Sequence, residues 1–249
     1  MPKDSAVEIK DTERIDDLQR CGLKIIQDPE RFCFGMDAVL LSGFAYSPEG
    51  GKLLDIGTGT GILPLLLSAK TPAGHLTGIE IQPGSADMAA RSVSMNGLDD
   101  RIDIVCGDVR EWDRYFAASS FDVITSNPPY IKTGTGIVNP SDTKALARHE
   151  STLTFEDVAR ISAKLLKTGG KFFLVHRPER LTEILTLLSE IKLEPKRLRI
   201  VYPDTQHAPN MILLESVRGG NPGIKVEKPL IINGEDGRYT EELREEYGF

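Results

Sequence analysis

The sequence predicts an α/β fold built on one doubly wound, mostly parallel β-sheet. From residue 52 onward, short apolar runs alternate with helix-like stretches, as expected for strands with helices on both faces. The apolar runs are rich in β-branched or aromatic residues, which favour strands. With 249 residues, 40% of them apolar, the chain can bury the core of one such domain.

Each element of this fold follows from a local pattern. Parallel strands are predicted at residues 52–56, 75–80, 101–105, 121–126 and 170–176, and helices at 62–69, 83–96, 155–166 and 178–192. Pro83 and Pro178 stand in first helical turns, where proline is tolerated. Two more strand-like runs, 195–202 and 210–216, follow without an intervening helix and predict an antiparallel hairpin on the sheet edge.

The chain is expected to form a single domain of residues 1–249 with three parts. Residues 1–51 are a mostly polar leader that shows no strand and helix alternation and becomes helical only from Asp37 onward. Residues 52–218 are the α/β core. Residues 219–249 are a C-terminal extension, and the acidic stretch at its end is expected to form a partly ordered tail.

Composition excludes several classes of protein. No apolar run approaches the roughly 20 residues that cross a bilayer, and the N-terminus lacks a signal-peptide core, so a cytoplasmic protein without membrane contact is expected. Cys21, Cys33 and Cys106 show no CxxC spacing, which predicts no disulfide framework and no metal site. The net charge of −7 disfavours indiscriminate binding to nucleic acid.

Residues 53–63, LLDIGTGTGIL, predict a ligand-binding turn. A strand runs through Gly57, Gly59 and Gly61 into a helix, and glycines let backbone approach a ligand closely. The dinucleotide pattern would need glycine at Ile62, and a phosphate-binding loop would need Lys followed by Ser or Thr. Asp55 would repel a pyrophosphate but can pair with an ammonium group, so a cationic amino acid ligand is favoured.

Two more acids stand at or just after the ends of the next two predicted strands. Glu80 lies 19 residues beyond Gly61, where a carboxylate can accept hydrogen bonds from both ribose hydroxyls of a nucleoside. Asp108 can accept a bond from an adenine amino group, with Val109 covering the ring. A plain turn or N-cap role for Asp108 is an equal alternative.

The fourth predicted strand runs directly into Asn127-Pro128-Pro129-Tyr130. Two prolines end the strand and leave rigid backbone without amide donors. An amino group conjugated to a ring is a poor nucleophile, so a site must accept its hydrogens, which suits the Asn127 and Pro128 carbonyls. Tyr130 can stack on a flat target base. The alternative is a proline-stiffened turn without a catalytic role.

These motifs carry a family resemblance. DIGTGTG, GIE at 78–80, GD at 107–108 and NPPY at 127–130 resemble the class I amino-methyltransferases. The leader segment FCFGMDAVLLSGF at 32–44, RHE at 148–150 and the tail PLIINGEDGRYTEELREEYGF are similar to the bacterial tRNA1(Val) adenine N6-methyltransferase family. The resemblance implies a Rossmann-like methyltransferase sheet, S-adenosylmethionine (SAM) as cofactor, and a tRNA substrate methylated at the adenine of position 37.

The motifs and the resemblance together give the candidate site residues. Catalysis is assigned to Asn127, Pro128, Pro129 and Tyr130. Cofactor binding is assigned to Gly35, Met36, Asp37, Ala38, Asp55, Ile56, Gly57, Thr58, Gly59, Gly61, Glu80, Ile81, Asp108, Val109 and Asn127. RNA contacts are assigned to Arg148 and His149, beside the NPPY motif, and to Lys196, Arg197 and Arg199, in a basic stretch for which composition alone favours solvated surface charges.

Three other functions stay open. A protein N5-glutamine methyltransferase acting on a release factor shares the NPPY pattern but usually carries a helical N-terminal domain, for which 51 residues are too few. A DNA adenine methyltransferase would need a larger insertion for target recognition. A catalytically silent binding protein would not need the intact NPPY motif. Monomer and homodimer are both compatible with the sequence.

Overall fold

A computed structural model of the chain describes residues 7–31, 33–128 and 153–247. The leader contains β1 (Arg14–Asp17), β2 (Lys24–Gln27) and α1 (Met36–Phe44). The core continues with β3 (Lys52–Ile56), α2 (Ile62–Lys70), β4 (His75–Glu80), α3 (Pro83–Met95), β5 (Ile102–Cys106), a 3-10 helix (Val109–Arg114), β6 (Phe121–Ser126), α4 (Phe155–Leu165), β7 (Leu166–His176), a second 3-10 helix (Pro178–Arg180), α5 (Leu181–Glu190), β8 (Leu193–Tyr202) and β9 (Met211–Arg218). The C-terminal extension adds β10 (Lys225–Val226), β11 (Leu230–Ile231) and α6 (Glu241–Tyr247).

The main sheet confirms the predicted fold class. Strands β5, β4, β3, β6 and β7 lie side by side in that order and are parallel, and β9 pairs with β7 antiparallel. The strand order reverses between β3 and β6. In open α/β sheets a crevice for ligands forms at the carboxyl ends of the strands at such a reversal.

Alternation along the strands gives the sheet two apolar faces. Leu53 of β3 packs in the cluster that includes α1, α2 and β2, whereas Leu54 packs in the cluster that includes α4 and α5. Successive side chains point to opposite faces, so Asp55 lies on the same face as Leu53. Helices α1 and α2 therefore pack on the sheet face onto which Asp55 projects.

The predicted element boundaries agree closely with the structure. The strands at 52–56, 75–80 and 121–126 begin and end as predicted, the third is shifted by one residue, and the fifth begins four residues earlier. Pro83 opens α3 as expected. Helix α4 begins with a capping box, in which the Thr154 hydroxyl accepts from the Asp157 amide and the Asp157 carboxylate accepts from the Thr154 amide.

The leader is more ordered than predicted. The sequence analysis predicted no strand within the polar part of the leader, but β1 and β2 pair there as an antiparallel hairpin. Each strand has only four residues, too few to show a clear alternation. The hairpin docks on α3, where the Ile26 amide donates to Ser92 Oγ (2.9 Å) and the Lys24 amide to Asn96 Oδ1 (2.9 Å).

The C-terminal extension completes the sheet edge and folds back onto α1. Strands β8 and β9 form the predicted antiparallel hairpin, but β10 and β11 both pair with β8, so the hairpin is not itself the edge. Leu243 of α6 is fully buried, and Glu246 pairs with the nearly buried Lys70 (3.3 Å). In the described part of the chain, no helix is long and apolar enough to span a membrane.

Candidate active site

The carboxyl ends of β3, β4, β5 and β6 bring four of the predicted motifs to one edge of the sheet. The glycine loop follows β3, Glu80 ends β4, Asp108 follows β5, and Asn127 follows β6. Since these strands are parallel neighbours, their carboxyl ends lie together, as the sequence predicted.

The glycine loop is held close to β4 and leaves open space above it. The amides of Gly57 and Thr58 both donate to the Ile79 carbonyl oxygen, at 3.0 and 3.1 Å. Gly57 and Gly59 have φ values of 73° and 57°, which side chains rarely adopt. A Cβ built on either glycine would meet no atom of the described residues within 4 Å. The loop therefore offers bare backbone to a ligand.

Glu80 braces the same loop. Its Oε2 accepts from the Gly59 amide (2.9 Å) and its Oε1 accepts from the Gln82 amide (2.9 Å). Each carboxylate oxygen has two lone pairs, so one on each oxygen remains for a further donor. This geometry suits the predicted role of Glu80 towards two ribose hydroxyls.

Asp55 is buried beneath the loop with only 1% of its surface exposed. The Thr125 hydroxyl of β6 donates to Asp55 Oδ1 (2.7 Å), while Oδ2 has no hydrogen-bond partner among the described residues. Burial raises the pKa of Asp55 to about 7, against the opposing effects of the Thr125 and Thr58 hydroxyls. An unpartnered buried carboxylate oxygen favours a cationic ligand at this position.

An open groove lies between the ends of β4 and β5. It is lined by Gly57, Ile79, Glu80, Ile81, Gly107, Asp108, Val109, Arg110 and Leu153. The Asp108 side chain accepts from the Arg110 amide at the start of the first 3-10 helix, so Asp108 is the N-cap of that helix, one of the two roles considered for it. The Arg110 guanidinium also pairs with the Asp108 carboxylate and lowers the pKa of that group.

The leader segment enters α1 as predicted. Gly35 is the N-cap residue of α1, and Met36 packs against the apolar cluster that includes α1, α2 and β2. Asp37 Oδ1 accepts from the Ala38 amide (2.9 Å). The Ala38 side chain is buried in the core, so only its backbone is suited to contact a ligand.

Asn127 stands immediately after β6, beside the glycine loop of β3. The preceding Ser126 hydroxyl donates to the Ile56 carbonyl (3.0 Å) and ties the two strand ends together. Asn127 is half-buried and Pro128 is buried. The predicted residues Pro129, Tyr130, Arg148 and His149 lie outside the described residues.

The basic residues of β8 differ in their surroundings. The Arg197 guanidinium pairs with Glu215 (2.8 Å), donates to the Phe44 carbonyl (2.7 Å) and lies 3.9 Å from the Phe44 ring centroid. Arg199 pairs with Glu242 of α6. Lys196 is half-buried, and its ammonium donates to the backbone carbonyls of Asn221 and Gly223. Arg197 and Arg199 are paired with carboxylates, which favours a structural role, whereas the Lys196 ammonium bonds to neutral backbone carbonyls and keeps its net positive charge.

The structure also brings to the site residues that the sequence analysis did not assign. Thr125 contacts Asp55, Arg110 and Leu153 line the groove, and Gln27 reaches the glycine loop. Only Thr125 had a detectable signal, since it lies two residues before Asn127 in a predicted strand. Within the described residues, no group of three or more His, Cys, Asp or Glu side chains is arranged to hold a metal ion.

Known structures share this fold. A predicted O-methyltransferase from Agrobacterium tumefaciens aligns with a TM-score of 0.68 at 19% identity, covering 85% of this chain and 95% of that one. Geranyl diphosphate C-methyltransferase from Streptomyces coelicolor, solved with S-adenosyl-L-homocysteine, aligns with a TM-score of 0.55 at 13% identity, covering 74% and 77%. A family model described as a methyltransferase domain matches residues 53–153. Fold and site together define a SAM-dependent methyltransferase.

Curated relatives narrow this class. A tRNA1(Val) (adenine(37)-N6)-methyltransferase from Porphyromonas gingivalis is 33% identical over 187 residues, covering 73% of this chain and 72% of the relative. A protein of the same name from Bacteroides thetaiotaomicron is 30% identical over 227 residues, covering 91% and 89%. The chain belongs to the tRNA1(Val) (adenine(37)-N6)-methyltransferase family.

Proposed function

We propose that the protein transfers the methyl group of SAM to the exocyclic N6 of an adenine in tRNA, at position 37 of a valine tRNA. The names of the curated relatives support this substrate. The observation that carries the proposal is the position of Asn127, which follows β6 beside the glycine loop of β3 at the reversal of strand order. An acceptor for an amino group thus stands next to the site suited to the methyl donor.

The described residues fit SAM in chemistry and shape. Bare backbone at Gly57 and Gly59 leaves room for a ligand, and the unpartnered Asp55 Oδ2 suits an ammonium group. Glu80 keeps lone pairs for ribose hydroxyls, and the groove beside Val109 suits an adenine ring. When bound, SAM supplies an electrophilic methyl group on a sulfonium. Gly35 to Ala38 are proposed to cover the donor from the leader side.

The protein's part in the transfer is to prepare the acceptor nitrogen. The N6 lone pair of adenine is delocalised into the ring, so the nitrogen must pyramidalise before it can attack. The Asn127 side-chain carbonyl and the Pro128 backbone carbonyl accept the two N6 hydrogens and favour that geometry. Holding the nitrogen at near-attack distance then supplies much of the rate. The N6 proton becomes acidic once the methyl is attached, so no prior general base is needed.

The RNA must also be held while the adenine leaves its stack. Extruding a base costs on the order of a few kcal/mol, which phosphate contacts elsewhere offset. We propose Lys196 as one such contact because its ammonium bonds to neutral backbone carbonyls and so keeps its net positive charge. Arg148 and His149 stay predictions for contacts beside the target base. A cytoplasmic location, where tRNA is modified, is part of the same proposal.

The test compares two transcripts of one valine tRNA, with adenine or guanine at position 37. We expect label from radioactive SAM to enter the adenine transcript and not the guanine transcript. Equal incorporation into both would overturn position 37 while leaving tRNA methylation intact. Incorporation into neither transcript, with SAM binding retained, would favour a protein glutamine methyltransferase or a catalytically silent binding protein. An assay with a release factor as substrate then distinguishes these two.

A further inference from the structure

Gln27, the last residue of β2, connects two segments that are far apart in sequence. Its side chain is fully buried. Its Nε2 donates to the Thr60 hydroxyl of the glycine loop (2.5 Å) and to the Ile26 carbonyl (3.2 Å). Its Oε1 accepts from the amide of Phe34 (3.1 Å), directly before Gly35 and α1. One amide group therefore bridges the glycine loop and the leader segment.

The hydrogen bonds define the orientation of the Gln27 amide. The Phe34 backbone N–H is only a donor, so the amide oxygen must face it. The Ile26 carbonyl is only an acceptor, so the amide nitrogen faces that side and, with it, Thr60. Flipping the amide would place two donors together at Phe34 and two acceptors together at Ile26. The bridge thus has one satisfied arrangement.

The bridge rests on a rigid base. Strand β2 is held at α3 by two bonds, from the Ile26 amide to Ser92 Oγ (2.9 Å) and from the Lys24 amide to Asn96 Oδ1 (2.9 Å), so the loss of one leaves the other in place. Helix α3 in turn lies close against the glycine loop, since a Cβ on Gly61 would come within 3.1 Å of the Ala89 Cβ. The leader hairpin, α3 and the glycine loop form one packed unit with Gln27 at its centre.

We propose that Gln27 is a positioning residue that fixes the glycine loop and the leader segment as opposite walls of the SAM site. A ligand that contacts both walls binds more tightly when their spacing is already fixed in the free protein. Otherwise the entropy lost on ordering the two segments reduces the free energy of binding. Gln27 is fully buried and acts on the site through Thr60 and Phe34. The inference rests on SAM binding and is independent of which RNA is methylated.

The test uses Gln27→Met, which keeps the side-chain length but loses the hydrogen bonds. We expect the Kd for SAM, measured by calorimetry without RNA, to rise at least tenfold. In steady-state assays the KM for SAM should rise in parallel, while kcat at saturating SAM and the KM for RNA stay within about threefold. Thr60→Val removes the same hydrogen bond from the side of the glycine loop. The double variant, Gln27→Met with Thr60→Val, should therefore bind SAM no more weakly than the weaker-binding single variant.

Ser92→Ala is the matched control. It removes a buried hydrogen bond from the same strand without touching the glycine loop, so the melting temperature should fall while the Kd for SAM stays within twofold. SAM affinity within twofold of wild type in Gln27→Met overturns the proposal, as does an equal loss of affinity in Ser92→Ala. If Gln27→Met does not fold, Thr60→Val decides, since normal SAM affinity in that variant also overturns the bridge.

Discussion

Asp55 and Thr125 face each other across adjoining parallel strands, and the Thr125 hydroxyl donates to Asp55 Oδ1 at 2.7 Å. This pair lies beneath the glycine loop, on the sheet face against which α1 and α2 pack. Only one oxygen of the carboxylate is satisfied among the described residues, and its burial raises the pKa to about 7. The carboxylate is thus costly to ionise in the protein without its ligand.

The first prediction concerns the stability of the ligand-free protein. Asp55 has a pKa near 3.8 when unfolded and about 7 when folded. Its favourable contribution is therefore present below about pH 4 and is lost as pH rises through 7. The side-chain amide of the variant Asp55→Asn does not titrate. Between those limits the free energy of unfolding of wild type should fall by roughly 4 kcal/mol relative to that of the variant. Above pH 7 the difference between the two proteins should stay constant.

Urea denaturation of both proteins from pH 4 to 8 measures this difference. Wild type alone would be misleading, because burial lowers the pKa of His176 to about 4 and this group destabilises the fold as pH falls. Subtracting the two proteins cancels the His176 contribution. A difference that does not change with pH would show that the pKa of Asp55 is not raised.

The second prediction concerns SAM affinity. An ammonium group near Asp55 favours the ionised carboxylate, so binding should release a proton below pH 7. The affinity should therefore rise with pH, by up to about tenfold per unit, between about pH 5.5 and 7. Calorimetry in buffers of different ionisation enthalpy counts the released proton. The Asp55→Asn variant serves as the control and should bind weakly without this dependence; the same slope in the variant would assign the proton elsewhere.

The third prediction concerns the acceptor for the target nitrogen. Asn127→Ala removes one preorganised hydrogen-bond acceptor and should lower kcat by roughly a hundredfold or more. The Kd for SAM should stay within a few-fold, because the glycine loop and Glu80 are unchanged. Single-turnover assays with prebound SAM measure the chemical step. Near-normal turnover would contradict the proposed mechanism.

The fourth prediction concerns the C-terminal extension. Glu246 of α6 pairs with Lys70, whose pKa is lowered by burial and partly restored by this carboxylate. Glu246→Ala should destabilise the protein by about 1–3 kcal/mol, because a buried cation loses its counter-charge. In a Lys70→Met background the same change should cost much less. The free energy of unfolding is measured by urea denaturation. An equal loss on Glu246→Ala in both backgrounds would mean that the Lys70–Glu246 pair does not stabilise the docking of α6.

Local patterns predicted the fold well because its strands are apolar and its helices start at clear signals. Lys52 to Ile56 and the proline at 83 are examples, since each follows from its own neighbours. The sequence also predicted that the glycine loop, Glu80, Asp108 and Asn127 meet at one edge of the sheet, because parallel strands bring their carboxyl ends together. The role of Thr125 depends on the register between β3 and β6, and that of Gln27 depends on how β2 docks on α3. Such contacts join residues far apart in sequence, and no local spacing encodes them.

The central claim is best tested by incubating the pure protein with labelled SAM and separate pools of unmodified tRNA, rRNA, DNA and protein, then identifying the methylated product by mass spectrometry. We expect N6-methyladenosine in tRNA and in no other pool. Methylated glutamine in protein, or no product in any pool although SAM binds, would contradict the proposed function.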